Sequence, residues 1–303
     1  MAPKSVGMIG LGIMGSAMSA NLIRAGFRVV GYDVLARRRQ DHRKAGGTVA
    51  RSCREVGKDS AIIVTSLPSS EALLDTAEQL AQSARGRQIV METSTLPISV
   101  KEEAHKRLAA RGVTLLDCPL SGTGAQARAK DLIVYASGNR EAYRHTAAVM
   151  EGFARAHYYV GKFGAGSKMK FVANLLVAIH NVAAAEAMVL AMKSGLDPAQ
   201  VLKVVADGAG GSRMLQVRGP MMVKGDYSDA TMKVQVWQKD MTIIGDFARK
   251  LDCPTPLFAA SAPIYTSAMA MGRSAEDTAA VCAVLERMAN ITRGRARGQS
   301  RRR

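Results

Sequence analysis

A glycine-rich turn between a strand and a helix, close to the start of the chain, is the feature that most constrains the fold. Residues 6–9 form a short apolar run that leads directly into Gly10-Leu11-Gly12-Ile13-Met14-Gly15, which fits G-x-G-x-x-G, and helical spacing then continues to residue 25. The three glycines permit the tight turn, the approach of a pyrophosphate and close helix–strand packing. This context predicts a dinucleotide-phosphate site at a helix N-terminus.

A carboxylate follows at the spacing that a bound dinucleotide requires. Asp33 ends the second predicted strand, 18 residues after Gly15, where such a side chain accepts hydrogen bonds from the adenosine ribose hydroxyls. A carboxylate repels a 2′-phosphate, so the sequence favours NAD over NADP. Arg37, Arg38 and Arg39 come next and offer positive charge to that phosphate, which leaves NADP as the alternative.

Short β-branched runs alternate with helical segments over the first 160 residues. This alternation predicts a mostly parallel sheet covered by helices, which is a Rossmann-type doubly wound α/β domain. Strands are predicted at residues 6–9, 28–32, 61–66, 88–93, 113–117, 132–136 and 156–160. Helices are predicted between them at residues 15–25, 70–83 and 100–110.

The residue pattern changes near residues 161–166. The rest of the chain is rich in Ala, Met, Leu and Val, and its pattern predicts an all-helical domain. Helices are predicted at residues 168–194, 198–207, 232–251, 256–271 and 275–290, with breaks at Gly195, 208–211, Gly219-Pro220, Pro254 and Gly272. The predicted organisation is a dinucleotide-binding domain over 1–162, a substrate and dimerisation domain over 163–292, and a disordered basic tail over 293–303.

Composition narrows the class of protein. The apolar stretch at 171–192 is interrupted by polar residues, so we expect a buried core helix and no membrane span. Four scattered cysteines and five scattered histidines favour reduced thiols in a cytoplasmic protein without a metal site. The net charge of +17, with six arginines in the tail, suits anionic ligands. Nucleic-acid binding through that tail is a possible but less favoured function.

Three later segments share the order and spacing of one enzyme family. They are Asp117-Cys118-Pro119-Leu120-Ser121-Gly122-Thr123, the run from Gly164 to Asn174 that contains Gly-x-Gly and Lys170, and Lys239-Asp240. Together with the glycine turn, they make the chain resemble the β-hydroxyacid dehydrogenase family over residues 6–290. That family includes 3-hydroxyisobutyrate dehydrogenase and tartronate semialdehyde reductase and is related to 6-phosphogluconate dehydrogenase.

The resemblance implies a role for each matching residue. Ser121, Gly122 and Thr123 bind the substrate carboxylate, although Thr123 and Lys130-Asp131 stand where relatives have smaller residues. Lys239 reaches the cofactor, and the loops at Leu67-Pro68 and Thr95 line it.

Lys170 is the implied general acid/base, with Asn174 beside it. The two residues are four apart and share a helix face, whereas Lys168 points about 200° away from that face. A partly desolvated lysine can take the hydroxyl proton as hydride leaves the same carbon.

The expected reaction is hydride transfer between NAD and a small 3-hydroxy acid such as 3-hydroxyisobutyrate. Hydroxy amino acids, sugar acids and imines are alternative substrates, since imine reductases share the architecture but often replace the lysine. A homodimer or homotetramer is expected from the Met- and Ala-rich helical half.

Overall fold

A computed structural model of the chain describes residues 5–84 and 86–293. The strands are β1 (Ser5–Ile9), β2 (Arg28–Tyr32), β3 (Thr48–Val49), β4 (Ile62–Thr65), β5 (Ile89–Glu92), β6 (Thr114–Asp117), β7 (Leu120–Ser121), β8 (Ile133–Ala136) and β9 (Ala156–Tyr159). The helices of the first part are α1 (Ile13–Arg24), α2 (Ala36–Lys44), α3 (Cys53–Asp59), α4 (Ser70–Ser83), α5 (Ile98–Ala109), α6 (Gly124–Arg128) and α7 (Arg140–Phe153). These are followed by α8 (Ala165–Lys193), α9 (Pro198–Asp207), α10 (Arg213–Lys224), α11 (Val234–Lys250), α12 (Pro256–Ala270), a 3-10 turn (Thr278–Ala280) and α13 (Val281–Met288).

Six parallel strands form the main sheet in the order β3-β2-β1-β4-β5-β6. This is the strand order of a dinucleotide-binding Rossmann domain, so the predicted fold class is confirmed. Side chains alternate between two cores along each strand. In β4, Ile62 and Val64 pack on one face, in the cluster that contains α1 and α7 residues, while Ile63 packs on the other with α3, α4 and α5. Burial on both faces explains the continuous apolar runs that the sequence shows.

The last two predicted strands lie in a separate, smaller sheet. Strand β8 pairs antiparallel with β7 and parallel with β9, and β7 was not predicted. The two sheets meet where Asp117, at the end of β6, exchanges backbone hydrogen bonds with Ser137 after β8. The expectation of one mostly parallel sheet is therefore correct for five of the seven predicted strands and wrong for β8 and β9, and β3 of the main sheet was not predicted.

The contacts between residues divide the chain within helix α8 into two units, an α/β unit that ends at Ala173 and a helical unit that begins at Asn174. The sequence predicted a boundary after residue 162, just before this helix. The difference arises because the first turn of α8 bonds to the α/β unit, where Ser167 N donates to Asp117 Oδ2 at 2.7 Å.

Two details of the helical part correct the sequence prediction. Pro220 lies inside α10 instead of breaking a helix, and Gly219 next to it lies close to Leu202 of α9. The last helix was predicted from residue 275, but α13 begins at Val281. A short 3-10 turn precedes it, capped by Asp277, which accepts a hydrogen bond from Ala279 N at 2.9 Å. Arg293, the first residue of the predicted basic tail, lies within the described residues, and its guanidinium bonds to Glu286 and to the carbonyl of Val223. Residues 294–303 lie outside the described part of the chain.

Helix α8 is the one described helix that is long and apolar enough to cross a membrane by length and composition. Its polar residues nevertheless pair inside the helical unit. Asn181 Nδ2 donates to Tyr265 Oη at 3.0 Å and to Thr278 O at 2.9 Å. Buried amides with partners of this kind are typical of a core helix.

Candidate active site

The glycine turn has the geometry that its spacing predicts. Gly10 has φ +89°, its N–H donates to Tyr32 O at 2.9 Å, and an added Cβ would collide with the Ser66 carbonyl oxygen. A Cβ on Gly15 would collide with the carbonyl oxygen of Gly10. Both positions therefore require glycine if the turn, α1 and β4 are to stay this close.

The N-terminus of α1 fits an anion. Gly12 precedes the helix without a side-chain cap, and the first helical hydrogen bond runs from Ser16 N to Gly12 O at 2.9 Å. The N–H groups of Ile13, Met14 and Gly15 precede that bond and point along the helix dipole. A Cβ on Gly12 would have Arg38 Nη1 as its nearest neighbour at 3.9 Å, so the space beside this residue suits a phosphate.

Asp33 lies at the end of β2, beside the glycine turn. Its side chain is 4% exposed, Oδ2 accepts from Leu11 N at 2.8 Å, and Oδ1 accepts from Leu35 N at 2.9 Å. Arg38 Nη1 forms an ion pair with Oδ2 at 3.2 Å. A carboxylate has about four acceptor positions, so capacity remains for a ribose hydroxyl.

Of the three arginines after β2, two turn back to the Asp33 loop. Arg38 pairs with the Asp33 carboxylate, and Arg39 donates to the carbonyl of Val34 at 3.1 Å. Both guanidinium groups are therefore already bonded within this loop, which reduces the positive charge that they offer to a 2′-phosphate.

The loops after β4 and β5 meet beside the glycine turn. Leu67 N donates to Ser94 Oγ at 2.8 Å, and Leu67 Cδ2 would lie 3.5 Å from a Cβ on Gly10. Pro68 next to it is exposed, and Thr95 next to Ser94 is half-buried. The structure therefore brings the predicted Leu67 to the turn, because carboxyl ends of neighbouring parallel strands share one edge of the sheet.

The predicted substrate segment adjoins the same turn. Ser121 is half-buried at the end of β7, and Gly122 follows with φ +132°. A Cβ on Gly124, at the start of α6, would lie 2.5 Å from Ile13 Cγ2, so this segment abuts the first residue of α1.

Thr123, the third residue of the predicted substrate segment, makes local contacts in the structure. It is the N-cap residue of α6, and its backbone N–H donates to Gln126 Oε1 at 3.0 Å. Gln126 Nε2 in turn donates to Asp131 Oδ2 at 3.2 Å. The N–H of Thr123 is therefore hydrogen-bonded within this segment.

Helix α8 contains both residues of the predicted proton-transfer motif. Lys170 is half-buried in its second turn, whereas Lys168 is exposed, as the helical spacing predicts. Asn174 is 4% exposed, and its Nδ2 donates to Asp240 Oδ2 at 2.9 Å. Asp240 also lies 3.7 Å from Lys239 Nζ, so it links the two helical-unit residues of the predicted site.

Sequence reasoning missed a buried charge cluster behind these loops. The ammonium of Lys101 lies 2.6 Å from Glu92 Oε2 and 2.8 Å from Asp117 Oδ1, and all three side chains are 0% exposed. Burial by itself lowers the pKa of Lys101, but the carboxylates of Asp117 and Glu92 outweigh it and raise the pKa above its ordinary value. The sequence held one signal, since Lys101 lies on the apolar stripe of α5 with Ala104 and Leu108.

Histidine, cysteine and carboxylate side chains do not gather in groups of three suited to a metal ion anywhere in residues 5–84 and 86–293.

Sequence comparison places this arrangement in a family. Residues 5–161 match the NAD-binding domain of 6-phosphogluconate dehydrogenase, and residues 164–285 match the NAD-binding domain of NADP-dependent 3-hydroxyisobutyrate dehydrogenase. The chain belongs to the β-hydroxyacid dehydrogenase family. It is an NAD(P)-dependent dehydrogenase of hydroxy acids, which confirms the resemblance and the enzyme class predicted from the motifs.

Individual members of this family are similar over nearly the whole chain. L-threonate dehydrogenase of Cupriavidus necator is 35% identical over 92% of this chain and 95% of its own. The 3-hydroxyisobutyrate dehydrogenase structure from Salmonella typhimurium is 30% identical and covers 92% of this chain and 99% of its own, with a TM-score of 0.83. The structure of Mycobacterium tuberculosis 3-hydroxyisobutyrate dehydrogenase with L-serine is 27% identical and covers 94% and 99%, with a TM-score of 0.86.

Proposed function

We propose that this dehydrogenase oxidises a small 3-hydroxy acid of the 3-hydroxyisobutyrate type, with NAD as hydride acceptor and Lys170 as general acid/base. The observation that carries the proposal is the position of Lys170. It is half-buried in the second turn of α8, whose first turn is bonded to the same unit that holds the glycine turn and Ser121.

Proton transfer is the step of the reaction that residues of this chain carry out. Bound NAD would supply the hydride acceptor for the carbinol carbon. Lys170 Nζ, in its neutral amine form, takes the hydroxyl proton, and the resulting ammonium returns it to the carbonyl oxygen in the reverse direction.

The substrate carboxylate is proposed to bind Ser121 and Gly122. Their hydroxyl and N–H groups are at the end of β7, in the segment that abuts Ile13 of α1. A turn of this kind presents donors to an anion. Since the Thr123 N–H bonds to Gln126, this site has one backbone donor fewer than the motif alone suggests.

NAD is proposed as the preferred cofactor because of Asp33. Its buried carboxylate retains acceptor capacity for ribose hydroxyls and repels a 2′-phosphate. Arg38, the nearest cation, is already paired with that carboxylate.

L-threonate is a second candidate substrate. The observation that favours it is the similarity to the Cupriavidus necator L-threonate dehydrogenase, which extends over 92% of this chain. Retention of a lysine at position 170 favours alcohol over imine substrates. A nucleic-acid function has weaker support, because Arg293, the first arginine of the basic tail, bonds within the helical unit.

A substrate panel tests the proposal. Purified protein is assayed for NADH or NADPH formation with 3-hydroxyisobutyrate, L-threonate, L-serine, phenylserine and glycerate. We expect the highest kcat/KM with 3-hydroxyisobutyrate and NAD. A higher value with L-threonate supports the second candidate, and turnover of none of these acids contradicts both.

We propose further that the enzyme works in the cytoplasm as a homodimer or homotetramer.

A further inference from the structure

Three buried charged side chains form a cluster: Glu92, Lys101 and Asp117. Burying them costs free energy, so their presence calls for an explanation. Each side chain is 0% exposed, and the ammonium of Lys101 lies within 2.8 Å of both carboxylates. Taking charges out of water is expensive, and apolar residues of similar volume are often as stabilising as a buried ion pair. Two carboxyl groups share one ammonium here, so packing alone does not account for the cluster.

One side of the cluster holds the start of helix α8. Asp117 Oδ2 accepts from Ser167 N at 2.7 Å, and Asp117 Oδ1 accepts from Ser167 Oγ at 2.8 Å. Gly166 N donates to Ser137 Oγ at 2.9 Å, and Ser137 Oγ donates to the Asp117 carboxylate at 3.3 Å. A carboxylate at a helix N-terminus is also favoured by the helix dipole. Lys170 follows Gly166 by four residues, which is about one helical turn.

The other side of the cluster holds the loop that meets the glycine turn. Glu92 Oε1 accepts from Ser94 N at 2.9 Å, and Lys101 Nζ donates to Ser94 O at 2.7 Å. Ser94 Oγ then accepts from Leu67 N at 2.8 Å, and Leu67 lies against Gly10. Lys101 therefore binds both carboxylates, and each carboxylate fixes a different part of the site.

We propose that Glu92, Lys101 and Asp117 are positioning residues, which fix the start of α8 under Lys170 on one side and the Ser94–Leu67 contact beside the glycine turn on the other. This inference rests on the proposed role of Lys170. A shift of about 1 Å in a reacting group can lower a rate roughly a hundredfold, so charges that hold both parts in register serve catalysis.

Two serine variants separate the two sides of the cluster, and Ser83→Ala is their matched control. Ser83 is a buried serine of α4 whose hydroxyl donates to carbonyls of its own helix. In Ser167→Ala we expect amide hydrogen exchange at residues 166–170 of the cofactor-free protein to rise roughly tenfold, as for loss of one charge-assisted hydrogen bond. Its kcat should fall with little change in the KM for NAD. In Ser94→Ala we expect the reverse, with a higher KM for NAD and little change in kcat.

A neutral variant of the whole cluster distinguishes positioning from stability. Removing Lys101 alone leaves two buried carboxylates without their cation and is expected to destabilise the fold. Glu92→Gln, Lys101→Met and Asp117→Asn combined remove all three charges with little change in volume, so the triple variant should stay folded. We expect it to show faster exchange at residues 166–170 and a kcat at least tenfold below wild type.

The proposal is overturned if Ser167→Ala exchanges and turns over like Ser83→Ala, or if the folded triple variant keeps the wild-type kcat. Because exchange is measured without cofactor or substrate, it reports on the α8 contact even if Lys170 proves dispensable. Failure of this inference and failure of the proposed function are therefore distinguishable.

Discussion

At the scale of single residues, Asp33 is proposed to select NAD over NADP. Replacing it by Asn keeps the side-chain shape but removes the charge proposed to bind ribose hydroxyls and to repel a 2′-phosphate. Hydrogen bonds to a charged group contribute about 1.5–3 kcal/mol, so we expect Asp33→Asn to lower kcat/KM for NAD at least roughly tenfold. The ratio of NADP to NAD activity should rise.

Steady-state kinetics with both cofactors measures this effect. Asp41→Asn, on the exposed side of α2, is the matched control and should keep the wild-type ratio. An unchanged cofactor ratio in Asp33→Asn would show that another group selects the cofactor.

His42 makes the stability of the α/β unit depend on pH. Its ring is 5% exposed, with Nδ1 3.1 Å from Ser19 Oγ and Nε2 3.2 Å from Thr48 O. A carbonyl oxygen accepts only, so Nε2 carries a hydrogen and donates it to Thr48 O. Burial lowers the pKa of His42 below its ordinary 6.5, against the opposing effect of hydrogen bonds from the ring to the backbone of Val29 and Thr48.

The unfolded chain therefore binds a proton at His42 in a pH range where the folded chain does not. As the pH falls below 6.5, the free energy of unfolding should decrease until the lowered folded pKa is reached, by at most about 1.4 kcal/mol per pH unit. Urea unfolding at pH 7.5 and 5.5 measures this. His42→Gln should lose that part of the pH dependence, whereas the exposed His145→Gln should retain it. Equal slopes for His42→Gln and wild type would contradict the assignment.

At the scale of helices, two interior glycines should respond in opposite directions to the same substitution. A Cβ on Gly219 of α10 would collide with Leu202 of α9, while a Cβ on Gly245 of α11 would meet Phe258 Cε1 at an ordinary 3.9 Å. Gly219→Ala is expected to lower the free energy of unfolding by less than the roughly 1–3 kcal/mol of an overpacked core, because the half-buried end of Leu202 can shift. Gly245→Ala is expected to raise it by about 0.5–1 kcal/mol, because alanine favours a helix. Urea denaturation compares both with wild type, and a stabilised Gly219→Ala would disprove the close α9–α10 packing.

The elements that the sequence predicts well are those whose pattern arises locally. Strands β1, β4 and β5 are apolar on both faces, and the glycine turn combines a motif with its flanking strand and helix. Helix α2 was not predicted, because its sequence ARRRQDHRK has no apolar stripe and buries one residue, His42. Strand β7 has two residues and depends on its pairing with β8, which is distant in sequence.

The same distinction applies to the candidate site. Lys170, Asp33 and the glycines are visible as motifs, and the helix places Lys168 and Lys170 as the spacing predicts. The Lys101 cluster depends on three segments that only the folded sheet brings together. The hydrogen bond between Thr123 N and Gln126 was likewise missed, since it depends on the start of a short helix.

At the scale of the whole molecule, exposed apolar side chains on the helical unit support the proposed oligomer. Leu190 is 71% exposed, Val204 63% and Leu257 67%, and every residue of α9 keeps part of its surface accessible. Apolar area of this kind is commonly covered by a second copy. Light scattering after size exclusion should give two or four times the 32.2 kDa chain mass, and a mass of one chain at micromolar concentration would contradict the oligomer.

The role of Lys170 is the central claim, and a pair of lysine variants tests it most directly. Lys170→Ala and Lys168→Ala remove the same ammonium group two residues apart on α8, one half-buried and one exposed. Loss of a general acid/base lowers turnover roughly 10²–10⁴-fold. We therefore expect single-turnover NADH formation to fall by that factor in Lys170→Ala and to stay within about twofold of wild type in Lys168→Ala. Equal turnover by the two variants would contradict the account.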